Sequence, residues 1–144
     1  MAFAKRFWRR RFFGEGRAGD ARAKREISRL REVLSYPASD PIVRDASIQR
    51  FEFSFEAVWK AARLVLASVE GLEYASPKGV IRGCRSVGIL SDAETKAALA
   101  MVDDRNLTSH TYDEELAQRL YQRLPDHLRL MQAWLERLEE RTRE

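Results

Sequence analysis

Between Ile48 and Val69 the apolar residues fall at Ile48, Phe51, Phe55, Val58, Ala62, Val65 and Val69, an unbroken alternation of three and four. That spacing returns a side chain to the same helix face once per turn and does not fit the two-residue period of a strand. Trp59 and Leu66 widen the stripe. The spacing predicts a helix from about Asp45 to Glu70, with Gly71 placed for the left-handed residue after its end. Such a wide aromatic face makes this helix the central element of a bundle. A face wider than one partner can cover also suits a dimer interface.

The rest of the chain reads as helix too. Ile27, Leu30 and Leu34 mark a first helix from about residue 21, which Pro37 and Pro41 end as a link. Ser76-Pro77 opens a third helix, a side-chain cap followed by a proline already set for the first turn. Val80, Ile81, Cys84 and Val87 form its buried face, and Gly88 closes it. Ser91 and Glu94 fit a capping box for a fourth helix running to about Ser109, with Ala98, Met101 and Val102 inward. Asp113 or Thr111 caps a last helix carrying Leu116, Leu120, Leu124, Leu128, Met131, Leu135 and Leu138. Pro125 lies inside that pattern and is expected to kink or restart the helix. Short links between long amphipathic helices predict an all-α, up-and-down antiparallel bundle of four to five helices.

Charge divides the chain unevenly. Residues 1–25 carry nine Lys/Arg and two Asp/Glu, a net +7, while the remainder carries 17 basic and 20 acidic residues, a net −3. The basic charge therefore belongs to residues 1–20, where it alternates with Phe3, Phe7, Trp8, Phe12 and Phe13 before Gly14, Gly16 and Gly19. This segment reads either as a flexible extension or as an arm for an anionic partner. Residues 21–144 form the expected domain, since a 144-residue chain fills one core. No stretch nears the ~20 apolar residues of a membrane span, and no apolar signal core is present, so a cytoplasmic location is expected. Cys84 alone can form neither an intramolecular disulfide nor a cysteine metal site, and two histidines are too few for zinc; no metal or cofactor is expected.

Chemistry concentrates at Asp103-Asp104-Arg105-Asn106-Leu107-Thr108-Ser109-His110-Thr111-Tyr112. One reading is structural: solvated charges, an Asn106–His110 contact, and His110 on a helix dipole. The other joins Arg105 and His110. Histidine titrates near neutrality and can take a proton from a hydroxyl. Arginine holds a phosphate or steadies a developing oxyanion. One copy of each is thin for RNA cleavage, and two copies across a dimer axis would supply a second histidine. Elsewhere, Glu52 and Glu56 read as a solvated or interfacial pair, Cys84 as a small buried hydrophobe, His127 as a surface residue, and Trp59 and Trp134 as packing residues.

The string Arg105-x4-His110-x-Tyr112 matches the R-x4-H-x-Y motif of HEPN proteins, and DRNLTSHTYDEELA (Asp104 to Ala117) resembles the signature of their HepT-like group. IQRFEFSFEAVWKA (Ile48 to Ala61) and SPKGVIRGCRSVGIL (Ser76 to Leu90) agree with that group, so the resemblance spans roughly residues 22–140. Lys78 and Gly79 depart from its usual Arg and Glu, and the basic N-terminal arm has no counterpart in it.

The resemblance implies a homodimeric bundle partnered by a minimal nucleotidyltransferase encoded nearby. One description of the family is a toxin, a metal-independent endoribonuclease neutralised when the nucleotidyltransferase adds AMP to the motif tyrosine. The other is a non-catalytic substrate-binding subunit of a two-component nucleotidyltransferase. In the first, Arg105 contacts the scissile phosphate of RNA, His110 acts on the ribose 2′-hydroxyl, Tyr112 is the AMP-modified residue, and Asp104 and Asn106 support the motif.

Overall fold

The computed structural model describes the backbone of residues 2–143 and the side chains of residues 16–143. Among these residues it contains five α-helices and no strand: α1 (Ala2–Leu34), α2 (Pro41–Val69), α3 (Pro77–Ser86), α4 (Asp92–Leu107) and α5 (Glu114–Arg143), with a 3-10 turn, Thr108–His110, between the last two. The all-α bundle expected from the spacing is what the chain forms.

Local chemistry sets the helix ends. The Asp40 side chain accepts from the Ile42 amide at 2.9 Å, and Pro41 is the first helical residue of α2. The helix therefore starts four residues before Asp45, because Pro41 opens it rather than linking to it; its missing N–H lies where no helical partner exists. At the other end Gly71 takes a φ of 68°. Ser76 caps α3 through the Gly79 amide, and Ser91 and Glu94 close a reciprocal capping box on α4 at 3.1 and 3.0 Å. Asp113 caps α5 through the Leu116 amide. α5 runs unbroken through Pro125, so the expected restart does not occur; packing along the whole helix outweighs one lost backbone bond.

The helical backbone of α1 begins at Ala2, well before residue 21, and Gly16 and Gly19 lie within it. The side chains of the aromatic and basic arm, Phe3 to Phe13, lie outside the described residues.

α2 packs most extensively on α1 and α5. Phe51, Phe55, Val58 and Ala62 are fully buried, and Trp59 nearly so. The aromatic stripe is thus largely consumed within the chain. Phe53, on the opposite face, remains 42% exposed, and Val69, the last residue of α2, is 40% exposed. α5 contributes Leu120, Leu124, Met131, Trp134 and Leu138 to the same core. Burial pushes the pKa of the Cys84 thiol up to about 11, which keeps it a protonated hydrophobe.

Ion pairs report the direction of the helices. Arg44, near the start of α2, reaches Glu114 at the start of α5, and Glu70 after the end of α2 meets Arg141 near the end of α5 at 2.6 Å. α2 and α5 therefore lie side by side in the same direction. α4 runs against α5, since Glu94 pairs with Arg137 at 2.5 Å and Asp104 with Arg123 at 2.8 Å. α3 runs against α4 through Lys78–Asp103 and Arg85–Asp92. No helix among the described residues is long and apolar enough to cross a membrane.

Asp20 of α1 sits beside Lys24 and near Glu139 of α5. Burial, then the Glu139 carboxylate, push its pKa up to about 6, while Lys24 pulls it back. A carboxyl raised by folding favours the folded state when protonated, so its ionisation costs stability as pH rises from about 4 through 6. Asp20→Asn is expected to raise Tm at pH 7.5 by about 2–5 °C and to leave it unchanged near pH 4, as measured by thermal unfolding across that range.

Candidate functional site

The residues of the Arg105–Tyr112 segment gather where α4 gives way to the 3-10 turn. α4 ends at Leu107, and Thr108 turns its hydroxyl back onto the Arg105 carbonyl at 2.7 Å. His110 closes the turn and Asp113 starts α5 three residues later, so His110 and Tyr112 stand on a short connector between two anchored helices.

Arg105 is partly exposed and points towards α2, where its guanidinium forms an ion pair with Glu56. A second nitrogen donates weakly to the Asn106 side chain at 3.4 Å. Glu56 also accepts from the Trp59 indole at 3.2 Å and meets Lys60 at 3.6 Å. The guanidinium is thus held against one carboxylate while part of it still faces solvent. A phosphate arriving there would compete with Glu56 or share the arginine with it.

His110 and Tyr112 form the second half of the site. His110 Nδ1 and the Tyr112 hydroxyl lie 3.3 Å apart, with the rings edge to face at 5.9 Å. Both are exposed, and Tyr112, at 82%, is the most exposed large aromatic among the described residues. An imidazole and a phenol so placed are both reachable from solvent by a second molecule.

Asp104 belongs to neither half. The residue is 7% exposed and its carboxylate faces α5. Arg123 donates to both of its oxygens at 2.8 Å, and His127 Nε2 lies 2.7 Å from one of them. Burial pushes this carboxyl up, but the His127 and Arg123 hydrogen bonds and the Arg123 charge outweigh it and hold it below the ordinary aspartate value.

The structure corrects the reading of His127 as a surface residue: it is buried, bonded to Asp104 and stacked on Phe51 at 5.2 Å. The periodicity contains this signal, because Leu120, Leu124, His127, Met131 and Trp134 share one face of α5. Pro125 obscures it by suggesting a helix start. Sequence spacing also groups Glu56 with Glu52, whereas its partner is Arg105 on another helix. Lys78, standing where the HepT-like pattern has arginine, pairs with Asp103 at 3.0 Å and ties α3 to the end of α4. Among the described residues no group of three His, Cys, Asp or Glu side chains is arranged to hold a metal ion.

Residues 21–140 match the family described as nucleotidyltransferase substrate binding protein like. The chain belongs to this nucleotidyltransferase substrate-binding-like family. A curated relative, a probable ribonuclease HepT from Haemophilus influenzae, is 31% identical over 99 residues, 66% of this chain and 66% of the relative. The chain thus matches about two thirds of that relative's length. A crystal structure of a Thermus thermophilus protein superposes with a TM-score of 0.78 at 53% identity, covering 81% of this chain and 98% of that one. A tri-AMPylated HEPN toxin from Shewanella oneidensis, solved in complex with MNT antitoxin, superposes with a TM-score of 0.72, covering 87% of this chain and 96% of that one. At 17% identity that likeness shows a shared fold.

For this family member, removing the Asp104 carboxylate leaves the Arg123 guanidinium and the buried His127 ring without their shared partner. Asp104→Ala is expected to cost about 2–3 kcal/mol at pH 7 by urea unfolding, at the low end of such losses because Arg123 is partly solvated. A carboxyl lowered by folding stabilises above its unfolded pKa, so the difference from wild type should shrink as pH falls below about 4.

Proposed function

We propose that this chain is a HepT-like HEPN toxin, a metal-independent endoribonuclease that acts as a homodimer in the cytoplasm and is silenced by a minimal nucleotidyltransferase through AMP addition at Tyr112. The observation that carries this reading is the pairing of His110 with an outward-facing Tyr112 at 3.3 Å, on the turn that follows the partly open Arg105.

In this reaction His110 removes the proton from a ribose 2′-hydroxyl, and the freed oxygen attacks the adjacent phosphorus. The bond from phosphorus to the 5′-oxygen breaks, leaving a 2′,3′-cyclic phosphate on one product. The departing 5′-oxygen takes a proton from the His110 of the second copy. Arg105 offsets the charge that builds on the phosphoryl oxygens. Asn106, bonded to Arg105, helps hold the guanidinium.

Silencing follows from the same geometry. The Tyr112 hydroxyl attacks the α-phosphorus of ATP, pyrophosphate leaves, and an adenylyl group remains on the phenol. This places a negative charge and a nucleotide next to His110, where an RNA phosphate must approach. Repulsion and bulk both oppose substrate binding.

A second reading is the non-catalytic substrate-binding subunit of a two-component nucleotidyltransferase. The Glu56 pairing of Arg105 and the net −3 of residues 26–144 favour it, since both weaken a non-specific grip on RNA.

Expression without the nucleotidyltransferase is expected to arrest growth, and His110→Ala to relieve the arrest and lower RNA cleavage in EDTA by about 100-fold or more. Co-expression with the neighbouring nucleotidyltransferase should add AMP units to the intact mass, and Tyr112→Phe should abolish the addition. A harmless wild-type chain that leaves RNA intact overturns the toxin reading. Partner binding that persists with cleavage absent supports the substrate-binding subunit.

A further inference from the structure

Arg105 sits on the last turn of α4 and His110 on the 3-10 turn that follows it, and the carboxylate of Asp104 anchors that last turn to α5. Asp104 is the residue immediately before Arg105, and consecutive residues on an α-helix point about 100° apart. With Asp104 turned to α5, Arg105 is turned to α2. Rotating the turn by about 20° would move a guanidinium, at its distance from the helix axis, by about 2 Å. Misplacement on that scale is enough to cost about 100-fold in rate.

The Asp104 carboxylate is held by contacts that resist such rotation. Arg123 grips both oxygens at 2.8 Å as a fork, which fixes direction as well as distance. His127, four residues on and on the same face of α5, binds one of those oxygens at 2.7 Å. Phe51 of α2 lies against the His127 ring, with the two planes 24° apart. Two helices therefore meet on one carboxylate, and a third packs on its histidine partner, one turn before the 3-10 segment that carries His110. A buried ion cluster adds little net stability over apolar packing of the same volume. What it supplies that leucines do not is a fixed direction.

We propose that Arg123 and His127, acting through Asp104, are positioning residues that set the rotation of the last turn of α4 and thereby aim Arg105 and His110 at the RNA backbone. This rests on the ribonuclease reading above for its consequence, but not for its geometry. None of the three residues touches the RNA. They govern how often the Arg105–His110 arrangement is in register with it.

The test uses the full-length protein, with Asp104→Asn, which keeps size and weakens the fork, and Arg123→Lys, which keeps charge and removes the second donor. In metal-free cleavage of a single-stranded RNA, kcat is expected to fall about tenfold or more in Asp104→Asn with KM within about threefold of wild type, Arg123→Lys lying between. Amide hydrogen exchange without RNA is expected to quicken across 105–110 in both variants, with α1 and α3 unchanged. Wild-type kcat in Asp104→Asn, unaltered exchange across 105–110, or exchange quickened evenly through all helices would each overturn the proposal, the last by reducing the cluster to structural support. If Asp104→Asn does not fold, Arg123→Lys carries both measurements. A wild-type chain that cleaves no RNA overturns the ribonuclease reading instead, and the exchange pattern then decides the positioning role by itself.

Discussion

The bundle depends on the burial of α2. Phe51, Phe55, Val58, Ala62 and Val65 form a continuous apolar face that α1 and α5 cover, and water is excluded along most of its length. Each large side chain buried there contributes about 1.5–3 kcal/mol relative to exposure, far more than any surface ion pair in the molecule. Because α2 packs most extensively on both α1 and α5, its position dictates theirs, and the ion pairs at both ends of α2 and α5 record the resulting parallel alignment.

The candidate site is a consequence of that alignment. With α2 and α5 side by side, the end of α4 rests against both. Arg105 then meets Glu56 on α2, and Asp104 meets Arg123 and His127 on α5. Neighbouring residues of one helix turn are thus used for different tasks: one carboxylate is taken inward against α5, and the next side chain turns to α2 and stays partly exposed. His110 and Tyr112, beyond the helix, are exposed because the 3-10 turn lifts the chain off the core before Asp113 restarts it. Anchored helices flanking an exposed connector suit a site that must hold its geometry and still admit a large partner.

Much of the fold is readable from local patterns. The 3–4 spacing of α2, the serine caps of α3 and α4 and the leucine run of α5 each act within a few residues, and each forms as expected. The two prolines that mislead are also local signals: Pro41 suggests a link and Pro125 a break. Proline at a first helical position costs nothing, and proline deep in a helix is tolerated when packing on both sides compensates. The burial of His127 is hidden for the second of these reasons, since its place on the apolar stripe of α5 matters only if that helix is continuous.

The sequence by itself determined that this chain is helical, where most helices begin and end, and that Arg105, His110 and Tyr112 sit together on one short segment. Those properties follow from capping, periodicity and adjacency, which act over a turn or two. Only the tertiary structure decided that Glu56 would hold Arg105, that Arg123 and His127 would claim Asp104, and that α2 and α5 would run in the same direction. Such pairings join residues 19 to 71 positions apart, and nothing local selects one distant partner over another until the core has brought the helices together.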